Sequence, residues 1–385
     1  MGFAPLDEGY PWDQLAPFVE RARAHPDGLV DLSIGTPVDR TPSVVQEALR
    51  SAADAPGYPT AHGTPQLRAA ISDWFARRRG VPGLDPAAVL PTMGSKELVA
   101  LLPSLLGLGP GDVVIAPEVA YPTYDVGARL AGAQVLRADD VATWAGEESV
   151  ALVWVNSPSN PTGAVHSGAR LRQVVTAARA LGAVVASDEC YAELAWGQPW
   201  ATDGVPCLLA EEVSGPDHAG LLSLYSLSKQ SNLAGYRAAF AAGDPDLISR
   251  LLLLRRHLGM MVPAPVQAAM TAALSDEAHT RAQREVYHTR REILISALTR
   301  AGYAVDHSEA GLYLWIRTAE GRRTCWEMVA DFADRGILVG PGAFYGPAAG
   351  DHVRLALTAT DERVAAAAHR LTTEPSDQER AAGRS

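Results

Sequence analysis

Cysteine is scarce in this chain. Three residues in 385, Cys190, Cys207 and Cys325, lie far apart with no Cys-x-x-Cys pair. That number and spacing suggest neither a disulfide framework nor a zinc site, and fit a reducing cytoplasm. Charge is thin as well: Asp, Glu, Lys and Arg make up 20% of the residues, and the formal balance is −11. An acidic surface argues against nucleic acid or an anionic membrane as partner and is compatible with a soluble enzyme, while leaving room for a local basic pocket. Long apolar runs are missing. The most apolar stretch, Leu98–Leu108, is interrupted by Pro103 and Ser104 and falls far short of the roughly 20 residues that span a bilayer. The opening Met1–Glu8 lacks the cationic region and apolar core of a signal peptide. There is no internal repeat and no low-complexity block.

What the chain has in quantity is apolar residues, 47% of the total, enough at this length to bury a large core and to form two or more globular units. Between about Pro42 and Ala242, short β-rich runs alternate with helical ones. Asp112–Ile115, Ala133–Leu136, Ala151–Val155, Ala183–Ala186 and Leu221–Tyr225 have the near-continuous apolar character of buried strands. Pro65–Arg79 and Leu171–Gly182 carry apolar residues at helical spacing, and several such segments stop at glycine. The alternation predicts an α/β fold with a mostly parallel, helix-covered sheet. After Asp244-Pro245 the pattern changes. Leu247–His257 and Val266–Ala301 predict long helices, followed by strand-like Gly311–Ile316, helix-like Thr324–Gly336 and strand-like His352–Leu357, together a smaller α+β unit. The expected division is 1–41 as a segment joining the small domain, 42–262 as the large domain, 263–373 as the small domain, and 374–385, without apolar periodicity, as a frayed tail.

Three motifs carry chemistry. Ser226-Leu227-Ser228-Lys229 follows a predicted strand, with Arg237 eight residues on, and strand ends of α/β sheets are where ligands bind. A lysine there can condense with an aldehyde, while flanking hydroxyls and a guanidinium supply donors and positive charge for a phosphate. A lone lysine is usually a solvated loop residue, so the weight lies in its neighbours. Ser187-Asp188-Glu189-Cys190-Tyr191 places two acids where another strand ends. Capping of the next turn is the plain reading; the chemical one is a carboxylate, Asp188, that keeps a ring nitrogen protonated, with Tyr191 either a hydrogen-bond donor to a ligand or a packed ring. Asn156-Ser157-Pro158-Ser159-Asn160-Pro161-Thr162-Gly163 is a third strand-end loop, either an ordinary turn or a rigid support for the Asn160 amide.

In this order the three motifs resemble the class I/II aminotransferases of the fold-type I pyridoxal-phosphate superfamily, and the resemblance spans nearly the whole chain. It begins at Leu32–Pro37, similar to the family's substrate-side loop, and continues through Tyr58–Gly63. The resemblance implies a large domain with a mostly parallel seven-stranded sheet, the cofactor pyridoxal 5′-phosphate, and Lys229 as its carrier and the proton-transfer base. It implies that Asp188, Tyr191 and Asn160 contact the cofactor ring, that Tyr121 stacks on it, and that Ser226, Ser228, Arg237 and the turn Gly94-Ser95-Lys96 hold the phosphate. Arg354 in Val353–Ala356, with Asn160 and Gly35, would take the substrate α-carboxylate. Tyr58 would reach the phosphate of a neighbouring subunit, giving a homodimer with shared sites. Ala239 departs from the pattern, which often has glycine there; it tightens the backbone approach without removing a chemical group.

Within the family, Ser226–Arg237, Gly35–Asp39 and Gly94–Glu97 are most similar to N-succinyldiaminopimelate aminotransferases of lysine biosynthesis. That implies glutamate as amino donor, N-succinyl-2-amino-6-oxopimelate as acceptor, and a basic side chain beyond Arg354 for the extra carboxylates, which the sequence does not identify. An aminotransferase for aspartate, alanine or aromatic amino acids, a lyase on the same cofactor, and a non-catalytic effector-binding protein are the alternatives.

Overall fold

In the computed structural model, which describes residues 9–373, seven strands form one sheet. They are β1 (Val89–Met93), β2 (Val113–Ala116), β3 (Gln134–Arg137), β4 (Val150–Asn156), β5 (Val184–Asp188), β6 (Leu221–Ser226) and β7 (Ala238–Gly243), in the spatial order β1-β7-β6-β5-β4-β2-β3. All five apolar runs singled out above are among them. β2 to β6 pair in parallel, and β7 runs antiparallel to both its neighbours. The sequence shows β1 only as the strand entering the turn at Gly94, and it hides β7. The reason is composition: β7 is Ala-Ala-Phe-Ala-Ala-Gly, poor in residues that favour strands, and β1 contains Pro91, tolerated because β1 lies at the sheet edge.

Alternating strand residues feed two cores. Val153, Val155, Leu221 and Tyr225 pack with the helices Pro65–Arg78, Gly168–Leu181 and Ala264–Ser275. Leu152, Trp154, Leu222 and Leu224 pack with Ser95–Leu105, Thr123–Ala131 and Pro245–His257 on the other face. Each fully buried Leu, Ile or Phe contributes about 1.5–3 kcal/mol, and this double burial explains why these strands read as continuous apolar runs.

A second, antiparallel sheet has β8 (Tyr303–Asp306), β9 (Tyr313–Thr318), β10 (Gly340–Pro341) and β11 (Val353–Ala356) in the order β10-β11-β9-β8. Its core takes residues from Ala278–Arg300, Cys325–Asp334 and Asp361–Thr372, and also Leu15, Val30 and Leu32 from the N-terminal segment. Val30–Asp31 pairs in parallel with Ile337–Leu338. One expectation fails here. Val266–Ala301 is not one helix: Asp276 is extended, its carboxylate accepts the Ala278 N–H at 2.9 Å, and the run divides into Ala264–Ser275 and Ala278–Arg300. A short carboxylate competing for local backbone donors interrupts helices in this way. The helix expected over Thr324–Gly336 runs from Cys325 to Asp334, with Thr324 and Glu327 forming a capping box. The expected frayed tail, 374–385, lies outside the described residues.

The topology gathers the chemistry at one edge. Met93, Asn156, Asp188 and Ser226 all stand at C-terminal ends of parallel strands. Because β7 is antiparallel and Ala238 and Ala239 pair with Met93 and Ser226, Arg237, one residue before β7, arrives at the same edge.

Candidate active site

A cavity of about 640 Å³ opens at that edge. Gly35, Ser95, Lys96, Tyr121, Asn160, Asp188, Tyr191, Ser226, Ser228, Lys229, Arg237 and Arg354 all line it. These residues come from at least six separate stretches of chain, so only the fold makes them neighbours. Gly94 begins the helix Ser95–Leu105 with φ +79°, and a Cβ there would lie 2.1 Å from Arg237 Nη2. Glycine is therefore required twice, by backbone angle and by the guanidinium against it. Tyr58 stands apart: it is 97% exposed and is not part of the cavity wall.

Lys229 lies in the short helix Leu227–Gln230 that follows β6, and its Nζ donates to the Gly35 carbonyl. Burial pushes its amine below the ordinary lysine range; Tyr313 and Cys190 oppose that, and the nearby Arg354 and Arg237 add to it. Asp188 closes β5. Its Oδ2 accepts from the Tyr124 hydroxyl at 3.0 Å and its Oδ1 from the Cys190 N–H at 3.3 Å. Burial raises the Asp188 carboxyl above the usual range, and these hydrogen bonds hold it back. Ser226 Oγ donates to Ser228 Oγ at 2.9 Å and also accepts the Ser228 N–H, capping the helix that carries Lys229.

Arg354, on β11, is 3% exposed. Its Nη1 donates to Asn160 Oδ1 at 2.8 Å and its Nη2 to the Ser33 carbonyl at 2.6 Å, while its Nε has no partner. The guanidinium carbon lies 3.9 Å from the centroid of the Tyr313 ring and 5.0 Å from that of Tyr345. With its oxygen held by Arg354, Asn160 offers the cavity its amide N–H groups.

The electrostatics are one-sided. Among the described residues, Lys96, Lys229, Arg237 and Arg354 line the cavity against a single acid, Asp188, in a chain whose overall charge is −11. Among the described residues, no carboxylate lies within ion-pair distance of any of the four. The chain has only two lysines among its 33 Lys and Arg residues, and both are in this wall.

Sequence reasoning missed several members. Tyr124 gives Asp188 its hydroxyl contact and stacks on Trp154 at 4.8 Å between centroids; its place three residues after Tyr121, in the same strand-end loop and helix start, was the available signal. Tyr313, whose hydroxyl is 3.3 Å from that of Tyr191, had none, since it reads as one more core residue of a strand. Burial raises the Tyr191 hydroxyl well above the ordinary tyrosine value, and the Tyr313 hydroxyl is held below it despite burial by Arg354 and Lys229. Tyr121 is pushed up to about 12 by burial. Cys190, with Sγ 3.4 Å from Ser95 Oγ, also faces the cavity. No group of three or more His, Cys, Asp or Glu that would hold a metal occurs among the described residues, and no helix there is long and apolar enough to cross a membrane.

A parallel sheet whose strand ends converge on a buried lysine, a buried acid and an unpaired arginine is the architecture of fold-type I enzymes that act with pyridoxal phosphate. The family model for class I and II aminotransferases matches residues 27–371, and the chain belongs to that family. The probable aminotransferase Rv1178 of Mycobacterium tuberculosis is 57% identical over 97% of this chain and 88% of its own length. The 4-dedimethylamino-4-oxo-anhydrotetracycline transaminase OxyQ of Streptomyces rimosus is 55% identical over 94% of this chain and 98% of its own. A solved structure of a probable N-succinyldiaminopimelate aminotransferase from Thermus thermophilus superposes with a TM-score of 0.84 at 29% identity, covering 94% of this chain and 99% of that one.

Proposed function

We propose that this aminotransferase exchanges amino groups between glutamate and N-succinyl-2-amino-6-oxopimelate, with Lys229, Asp188, Asn160 and Arg354 as its working residues. The observation that carries the reading of the site is the buried, carboxylate-free Arg354 facing the same cavity as the depressed amine of Lys229.

The residues present fit pyridoxal phosphate. Asp188 is a buried carboxylate with only neutral hydrogen-bond partners, the complement of a protonated pyridine nitrogen. The helix start at Gly94-Ser95-Lys96, the hydroxyls of Ser226 and Ser228 and the guanidinium of Arg237 together form a phosphate cup. Tyr121 would lie against the ring, and Tyr191 and Asn160 would donate to its phenolic oxygen. When bound, the cofactor supplies a conjugated ring that accepts the electron pair left when the substrate Cα–H bond breaks.

The chain's own residues do the rest. Arg354 and Asn160, with the Gly35 loop alongside, orient the α-carboxylate, so that one face of Cα is presented to Lys229. Lys229, its amine lowered by burial, would hold the cofactor and, once freed, would be placed to accept the proton from the substrate Cα. Tyr58, exposed on one subunit, would complete the phosphate site of a second, giving a homodimer. Residues 42–262 form the cofactor-binding unit in this reading, with 1–41 and 263–373 as the substrate-side unit.

A second reading, amino transfer to a bulky polycyclic ketone, is favoured by the 55% identity to the Streptomyces rimosus transaminase. The test is the visible absorption of the purified holoenzyme. Glutamate should convert a band that Lys229→Ala lacks, and N-succinyl-2-amino-6-oxopimelate should restore it. Restoration by other ketones alone moves the substrate assignment; a band indifferent to glutamate overturns the reading.

A further inference from the structure

The stretch Gly35–Asp39 stands out in the sequence, yet only its first residue takes part in the reaction just described. The two ends of this loop are fixed differently. At the near end, the Leu32 N–H donates to the Leu338 carbonyl at 2.9 Å, its carbonyl accepts from Ala356 at 2.8 Å, and the Ser33 N–H donates to the Asp31 carboxylate at 2.8 Å. At the far end the strongest tie is one carboxylate. Asp39 Oδ1 accepts from Arg290 Nη2 at 2.6 Å, and Oδ2 accepts from Arg290 Nη1 and Gln283 Nε2, both at 2.8 Å. Burial would raise the Asp39 carboxyl, and these donors more than offset it, so that it sits below the ordinary carboxylate range. Both partners belong to the helix Ala278–Arg300, and Arg290 also donates to Asp361 at 2.7 Å.

Gly35 lies between these ends. Its carbonyl accepts from Lys229 Nζ, and a Cβ on it would collide with the Tyr313 hydroxyl, so the loop has no slack on that side. The far end closes back on the same lysine. Gln283 Oε1 accepts from Asn232 Nδ2 at 2.7 Å, and Asn232, three residues after Lys229, also reaches the Arg40 carbonyl at 3.3 Å. Lys229, Gly35, Asp39, Gln283 and Asn232 thus form one closed circuit of chain and hydrogen bonds. It joins the two cores, since Leu227 and Leu233 pack in one and Tyr287 in the other.

We propose that Asp39 is a positioning residue for the reaction, anchoring the loop so that the Gly35 carbonyl holds the Lys229 amine in place. The inference rests on the transaminase reading of the cavity. Asp39 is not part of the cavity wall and acts through Gly35. The contact is made by a free amine, the form Lys229 has before the cofactor arrives and again once a substrate has displaced it. Without the anchor Gly35 can lift and water can reach Lys229. Arg354 is spared, because its contact to the Ser33 carbonyl lies at the end of the loop that is fixed independently.

The experiment compares full-length Asp39→Ala with the wild type in two ways. In the holoenzyme, kcat for glutamate should fall by roughly tenfold to a hundredfold, the cost of a misplacement on the order of 1 Å, with KM changed by less than about twofold. In the cofactor-free chain, the rate at which added pyridoxal phosphate restores the Lys229-dependent band requires the neutral amine. Its pH profile should move to higher pH in the variant, as the burial that lowers the amine relaxes. Tyr313, Cys190, Arg354 and Arg237, which also act on that amine, are unchanged. Asp39→Asn keeps an acceptor for Arg290 and Gln283 and should recover most of both effects. Asp361→Ala is the control: it removes the other carboxylate of Arg290 and should lower Tm while leaving kcat and the profile alone. Gln283→Met, with one donor removed, serves if Asp39→Ala does not fold, and should shift the profile in the same direction by less. An unmoved profile, a KM that rises as far as kcat falls, or the same changes in Asp361→Ala would each overturn the positioning role. A wild-type band indifferent to glutamate would instead overturn the reading on which it rests.

Discussion

Arg79 and Arg354 are both buried, yet their surroundings differ in one respect. Arg79 Nη2 meets Glu189 at 2.8 Å, with both side chains almost fully enclosed, and also donates to the Pro206 carbonyl, while Nη1 donates to the Val205 carbonyl. Arg255 is similar, with Glu97 at 2.6 and 3.0 Å. Arg354 has two neutral oxygens and two aromatic faces; its Nε is without a partner, as are those of Arg79 and Arg255, so the missing carboxylate is the difference. A cation taken out of water is normally paired. Arg79 and Arg255 are paired from within, and they hold the fold; Arg354 is complete only when an anion arrives from outside. The same distinction separates Glu189, which is paired, from Asp188, which is not.

Arg354→Leu gives the largest effect that tests this difference. The kcat/KM for glutamate should fall by roughly a hundredfold to a thousandfold, with Tm nearly unchanged, because no buried carboxylate is stranded. A large fall in Tm would place Arg354 with the structural arginines. Arg79→Leu should behave oppositely. It strands Glu189 and should cost about 3–5 kcal/mol in chemical denaturation, and adding Glu189→Leu should return most of that. Gly94→Ala is a smaller perturbation. A Cβ against Arg237 at φ +79° should cost about 1–3 kcal/mol of strain, read chiefly as weaker cofactor binding in a fluorescence titration.

The smallest expected effect concerns pH. Lys229 in the folded chain titrates below the ordinary 10.5, so between the two values the unfolded chain holds a proton that the folded chain does not. Stability of the cofactor-free protein should therefore rise with pH across that window, and Lys229→Met should remove this part of the slope. An identical slope in the variant would mean that burial does not lower the amine below its ordinary value.

Much of this was legible along the chain because the informative features are local. A buried parallel strand is a continuous apolar run, and the five such runs all became strands. A functional residue just past a strand end, such as Lys229, Asp188 or Asn160, carries its context in the preceding few residues. β7 was hidden because alanine has little strand preference of its own, and the break at Asp276 because one side chain's hydrogen bond outweighed a long helical pattern. Tyr313 and Ser33 were invisible because their importance lies in what they touch, across roughly 40 and 320 residues of chain to Arg354.

By itself the amino-acid sequence determined the layered α/β core, the order of the three strand-end motifs and the family to which they belong, since periodicity and motif spacing are properties of neighbours. Only the tertiary structure decided which cations lack partners and that both lysines face one cavity. The physical reason is that pairing, burial and electrostatic field depend on distances through space, and an antiparallel β7 or a strand register is what converts remote positions into contacts.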